Sequence, residues 1–106
     1  MSTRTEEISQ RRRYRDELIA VFQKASRDCG LLDQFLEDVL TPKEYQELAK
    51  RLQIVKLLRQ GKTQRYIENK LHVGIATVTR GSRALMNPGG GFNRMLGGSN
   101  KNLQHG

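Results

Sequence analysis

The sequence predicts an all-α protein built from several short helices, and three observations carry that reading. Apolar residues recur at helical spacings of three and four along most of the chain. Thr41-Pro42-Lys43-Glu44 has the form of a helix start, with a capping threonine, a proline at the first helical position and a glutamate three residues after the cap. The stretch from Gly61 to Leu85, GKTQRYIENKLHVGIATVTRGSRAL, has the spacing of two short helices joined by a tight turn. We read residues 63–85 as a helix-turn-helix within a helical domain spanning residues 1–86.

The elements follow in order. Met1 to Gln10 are polar and mixed in charge, which predicts a frayed arm. Arg11, Arg12, Arg13 and Arg15 lie beside Asp16 and Glu17, a run that fits a solvated helix face better than a DNA-contacting arm. Tyr14, Leu18, Val21, Phe22, Ala25 and Cys29 mark a first amphipathic helix ending near Gly30, where glycine suits a C-terminal cap. Leu31, Leu32, Phe35, Leu36, Val39 and Leu40 form an apolar stripe on a second helix, with Asp33, Glu37 and Asp38 outside it. The third helix, from Pro42 to about Gln60, carries Tyr45, Leu48, Ala49, Leu52 and Val55 on one side and Ile54, Leu57 and Leu58 nearly opposite. A helix apolar on two sides is expected to be central, with one side against its own chain and the other against a second copy.

Gly61 ends that helix, and Thr63 caps the next one, which buries Ile67 and Leu71. His72-Val73-Gly74 breaks the period, and a further helix opens near Ile75 with Val78, Ser82 and Leu85 inward. Asn87-Pro88-Gly89-Gly90-Gly91 cannot hold a helix, so residues 87–106 read as a Gly-rich flexible tail in which Phe92, Met95 and Leu96 could form one packed turn.

Composition narrows the function. With 106 residues, 36% hydrophobic and 28% charged, the chain reads as one soluble globular domain with a modest core. A single cysteine, Cys29, excludes an intrachain disulfide, and in an apolar helical context it reads as a small core residue rather than a reactive thiol. No leader-like or membrane-length apolar run is present, so a cytoplasmic protein with no membrane partner is expected. His72 and His105 lie far apart and no acidic pair or phosphate-binding glycine loop is present. We therefore expect no enzyme, no metal and no prosthetic group.

Charge points elsewhere. Between Ala49 and Leu85 nine cationic residues face one anion, Glu68, a local excess of +8 that equals the net charge of the whole chain. On a helical wheel Ala76, Thr79, Arg80 and Arg83 share the outward face of the last motif helix, with Thr77 at its edge. Small, hydroxylated and cationic residues suit a DNA major groove, because they permit close approach and can reach base edges and phosphates. The competing reading is an ordinary helical hairpin with a solvated polar face.

From Leu31 to Leu85 the sequence resembles the trp repressor family of bacterial regulators. The resemblance rests on Leu40-Thr41-Pro42, on Arg51 with Ile54-Val55, on Thr63-Gln64-Arg65, and above all on Gly74-Ile75-Ala76-Thr77-Val78-Thr79-Arg80-Gly81-Ser82. It implies an intertwined all-helical homodimer that binds double-stranded, palindromic operator DNA when L-tryptophan occupies a pocket. Residue by residue, it implies that Gln64, Arg65, Ile75, Ala76, Thr77, Thr79 and Arg80 face DNA, and to these the wheel adds Arg83. The implied corepressor site takes the backbone around Leu40 and Thr41, with Arg51, Arg80 and Gly81. Two guanidinium groups could stack on the faces of an indole, and Arg80 could also pair its carboxylate.

The sequence also departs from the family pattern. Ala84 stands where tryptophan-responsive members carry a serine, Asp38 replaces an apolar residue near the pocket, and Glu68 replaces a basic one. His72 occupies a turn position that usually carries glycine, and the link from Gly61 to Thr63 is one residue shorter than in similar members. The Gly89-Gly90-Gly91-Phe92 run resembles a sister branch of the family. Three readings stay open: a tryptophan-controlled repressor, a DNA-binding regulator that does not respond to tryptophan, and a protein-interaction module.

Overall fold

The computed structural model describes residues 3–97, and among them it contains six helices and no strand. These are α1 (Arg4–Ala25), α2 (Cys29–Val39), α3 (Pro42–Arg59), α4 (Gln64–Leu71), α5 (Ile75–Leu85) and α6 (Gly91–Leu96). The chain divides into two compact units, Met1–Tyr45 and Gln46–Gly106.

In the first unit, α1 begins much earlier than expected. Thr3 and Glu6 form a reciprocal cap: the Glu6 N–H donates to Thr3 Oγ1 and the Thr3 N–H to Glu6 Oε2, both at 3.2 Å. The expected frayed arm is therefore helical from Arg4, because a Thr-x-x-Glu start satisfies donors that would otherwise be left to water. The expected helix end at Gly30 is also wrong. α1 stops at Ala25, and Asp28 caps a new helix by accepting from the N–H of Gly30 at 2.8 Å and of Leu31 at 3.4 Å. Cys29, expected in the core, is exposed in the first turn of α2.

α1 and α2 meet through Phe22 and Phe35, whose rings stand edge to face 5.2 Å apart, and Ala25 of α1 is buried. Tyr14, Leu18 and Val21 of the expected stripe stay exposed. Leu40 closes α2, and its N–H donates to the Leu36 carbonyl. Thr41 and Glu44 then form the capping box expected from the sequence, with hydrogen bonds of 2.8 and 3.1 Å. The Thr41 backbone N–H, and after it the Thr41 hydroxyl, hold the Glu44 carboxyl below its ordinary value. Tyr45 donates its hydroxyl to Asp33 Oδ1 at 2.8 Å, and that hydrogen bond raises the phenol above its ordinary value.

The second unit is organised by a small core of Ile54, Ile67 and Val78, with Leu57, Leu58, Leu71 and Val73 packed against it. One helix pattern shifts here: Val55, assigned to the other side of α3, is buried together with Ile54, while Leu48 and Leu52 remain exposed. Gly61 closes α3 at φ 84, a conformation that glycine adopts without steric cost. Thr63 caps α4 as expected, accepting from the Tyr66 N–H at 3.1 Å. His72 ends α4 in the left-handed region at φ 54, so a non-glycine residue does hold the turn conformation usually left to glycine.

Residues 72–74 carry the chain directly into α5. Gly81 lies against α3 so closely that an added Cβ would meet Ile54 Cγ2 at 3.0 Å. Beyond α5, within the stretch expected to be a tail, Phe92, Met95 and Leu96 belong to the short helix α6. The remainder of that tail, residues 98–106, lies outside the described residues.

Candidate functional site

Two surfaces of the second unit gather the chemistry. The first is the exposed side of α4 and α5. Val78 on α5 and Ile67 on α4 are fully buried against Ile54, which orients both helices and leaves their polar sides outward. Gln64, Arg65, Ile75, Ala76, Arg80 and Arg83 are exposed, while Thr77 and Thr79 are half-buried. Ile75 is 60% exposed at the first position of α5, where a core residue would be covered. Charge also gathers around the exposed Tyr66 of α4: Lys62 Nζ and Lys70 Nζ lie 5.4 and 5.9 Å from the centre of its ring. Of the nine cations counted in this region, Arg59 is buried at 5% exposure and does not contribute to the surface.

The second surface is a cleft between α3, α5 and α6. Its floor is apolar, formed by Ile54 and Val55, and Arg51, Arg80, Thr77, Gly81, Ala84 and Phe92 complete its lining. Three residues expected around a ligand, Arg51, Arg80 and Gly81, are thus brought together. Leu40 and Thr41 belong to the first unit, where they form the corner between α2 and α3. The lining includes two guanidinium groups and one hydroxyl but no carboxylate, so a ligand anion has partners here. A more open polar cleft lies alongside, lined by Glu47, Lys50, Arg51, His72, Val73, Gly74 and Thr77. Among the described residues, no group of three or more His, Cys, Asp or Glu side chains is placed to hold a metal ion.

Sequence reasoning missed Phe92 as a wall of the cleft, and it missed what holds Phe92. Asn93 is buried; its Nδ2 donates to the carbonyls of Leu85 at 2.9 Å and Asn87 at 2.8 Å, and its Oδ1 accepts from Arg59 Nη1 at 3.3 Å. Arg59 Nη2 also donates to the Leu96 carbonyl. A polar residue between glycines gives no periodic signal, so only the folded chain reveals that Asn93 joins α3, α5 and α6.

Comparison with known proteins supplies a family. The profile of the family described as Trp repressor protein matches residues 15–99. The chain belongs to the Trp repressor family. That family is one of regulators rather than enzymes. A Trp operon repressor homolog of Vibrio parahaemolyticus is 39% identical over 74 residues, covering 68% of this chain and 72% of the relative. A Trp operon repressor homolog of Vibrio vulnificus (strain YJ016) is 46% identical over 54 residues, 50% of this chain and 53% of the relative. The uncharacterized protein YerC of Bacillus subtilis is 38% identical over 52 residues, 49% of this chain and 50% of the relative. The chain thus spans about half the length of the latter two relatives. No solved structure gives a significant match. Among the described residues, no helix of this Trp repressor family member is long and apolar enough to cross a membrane.

Proposed function

We propose that this member of the Trp repressor family is a sequence-specific, DNA-binding transcriptional repressor that acts as a cytoplasmic homodimer and takes L-tryptophan as corepressor. The observation that carries the DNA reading is the exposed side of α4 and α5, where Gln64, Arg65, Ala76, Arg80 and Arg83 stand outward beside a lysine-flanked Tyr66. α5 enters the major groove with Ile75, Ala76, Thr77 and Thr79 near base edges, and the arginines reach guanine or phosphate. Residues 63–85 act as the helix-turn-helix.

Corepressor control rests on the cleft. An indole sits over Ile54 and Val55 between Arg51 and Arg80, and its carboxylate pairs a guanidinium. The bound ligand steadies α5, whose start at Gly74 has no side-chain cap. A coupling of about 1 to 3 kcal/mol is the usual range for such a switch, and the same coupling tightens the ligand when DNA is bound.

The test is a palindromic duplex selected from a random pool by the full chain, then titrated with protein at rising L-tryptophan. Operator affinity is expected to increase roughly fivefold to a hundredfold, within that coupling range. Unchanged affinity at millimolar tryptophan, in the wild type and in Arg51→Ala alike, would replace this with the ligand-independent regulator. Failure to enrich any duplex would favour the protein-interaction reading.

A further inference from the structure

We propose that Phe92, held in place by Arg59 and Asn93, is the specificity-determining wall of the ligand cleft, so that the C-terminal segment sets which aromatic side chain the protein accepts. This rests on the reading of the cleft as an aromatic amino acid site. Phe92 is half-buried and lines the cleft together with Ile54, Val55 and Ala84. It is the aromatic member of the lining, and it comes from α6 rather than from the helices that supply the two guanidinium groups. A ring seated on Ile54 and Val55 therefore meets Phe92 at the edge of the cleft, where aromatic pairs favour offset or edge-on contact.

What makes Phe92 a wall rather than a mobile side chain is the residue beside it. Asn93 is 6% exposed, and its amide is bonded to Arg59, Leu85 and Asn87. Swinging α6 outward would break the bonds of Asn93 to Arg59, Leu85 and Asn87 and that of Arg59 to Leu96, a cost that opposes the motion strongly. The cleft persists with Phe92 in place, which fits a boundary better than a plug. Ala84 offers little bulk on the α5 side, so ring selection falls to Phe92.

The experiment is calorimetric titration of the full chain with L-tryptophan and with tryptophans brominated in turn at each benzene-ring carbon. Phe92→Ala is expected to weaken L-tryptophan about three- to tenfold through the lost aromatic contact. At the same time it should raise the affinity of at least one brominated tryptophan relative to tryptophan by roughly tenfold, because a hydrophobic wall has been removed. Phe92→Leu, which keeps most of the apolar volume, should change that ratio less. Asn93→Ala should move the ratio in the same direction as Phe92→Ala.

If the wild type binds tryptophan and every ratio stays the same in Phe92→Ala, Phe92 is not the wall. If Phe92→Ala binds all the tryptophans more tightly by one common factor, Phe92 is a plug and the proposal is wrong. If the wild type binds none of them, both this proposal and the corepressor reading fall, while binding to the selected duplex still reports on the DNA reading.

Discussion

Three short side chains set the starts of three helices. Thr3, Thr41 and Thr63 each accept a backbone N–H three residues on, and in the first two cases a glutamate returns the bond. Replacing Thr63 with alanine is expected to cost about 0.5 to 2 kcal/mol, read as a lower denaturant midpoint with an unchanged slope. Glu44 adds a pH dependence. Its carboxyl is lowered in the folded chain, chiefly by the Thr41 N–H, so its contribution is fully present above the ordinary value of 4.5. That contribution disappears as pH falls through the lowered folded value, and Glu44→Gln should flatten that part of the acid unfolding curve. Gly81 is constrained differently, by the 3.0 Å approach of Ile54 Cγ2 to where a Cβ would stand. Gly81→Ala should lose about 1 to 3 kcal/mol to overpacking and regain about 0.5 to 1 from helix propensity. A net gain in thermal midpoint would show that Ile54 yields freely.

Among the elements, α4 and α5 carry the sharpest functional expectation. Arg65 is exposed at the start of α4, and Lys62 lies just before that helix over the Tyr66 ring. Arg65→Ala is expected to cost about 1 to 3 kcal/mol on the selected duplex and much less on random DNA, whereas Lys62→Ala should mainly reduce the salt slope. Equal losses on both duplexes for Arg65→Ala would show that it reads no bases. α1 and α6 show why an element can escape a sequence reading. The Thr-x-x-Glu signature at residues 3–6 was legible, yet the polar composition of the first ten residues masked it. α6 was less legible, because a six-residue helix flanked by glycines has too few turns to display a period.

For the whole molecule, exposed apolar surface leads to the proposal of self-association. Leu18, Ile19, Val21, Leu31, Val39, Leu48 and Leu52 are each 40% exposed or more, spread over α1, α2 and α3. A chain of 106 residues has few ways to cover so much apolar area alone, and a second copy would cover it symmetrically. Light scattering at micromolar concentration is expected to return the mass of two chains, with a thermal midpoint that rises with protein concentration. A stable single-chain mass with a concentration-independent midpoint would remove the dimer.

The sequence by itself determined the helical class, the bounds of α3 to within a residue, the cap of α4, the turn at His72 and the start of α5. These are local matters, set by side chains bonding to backbone a few residues away and by apolar spacing along one helix. It also grouped Arg51, Arg80 and Gly81 in one expected site, through the resemblance to the family. Only the tertiary structure decided that Val55 turns inward with Ile54, that Arg59 is withdrawn from the basic surface, and that Asn93 locks Phe92 into the cleft wall. Those outcomes depend on contacts between different helices, as between Arg59 and Asn93, 34 positions apart, and a buried charge is positioned by whichever distant partners can satisfy it.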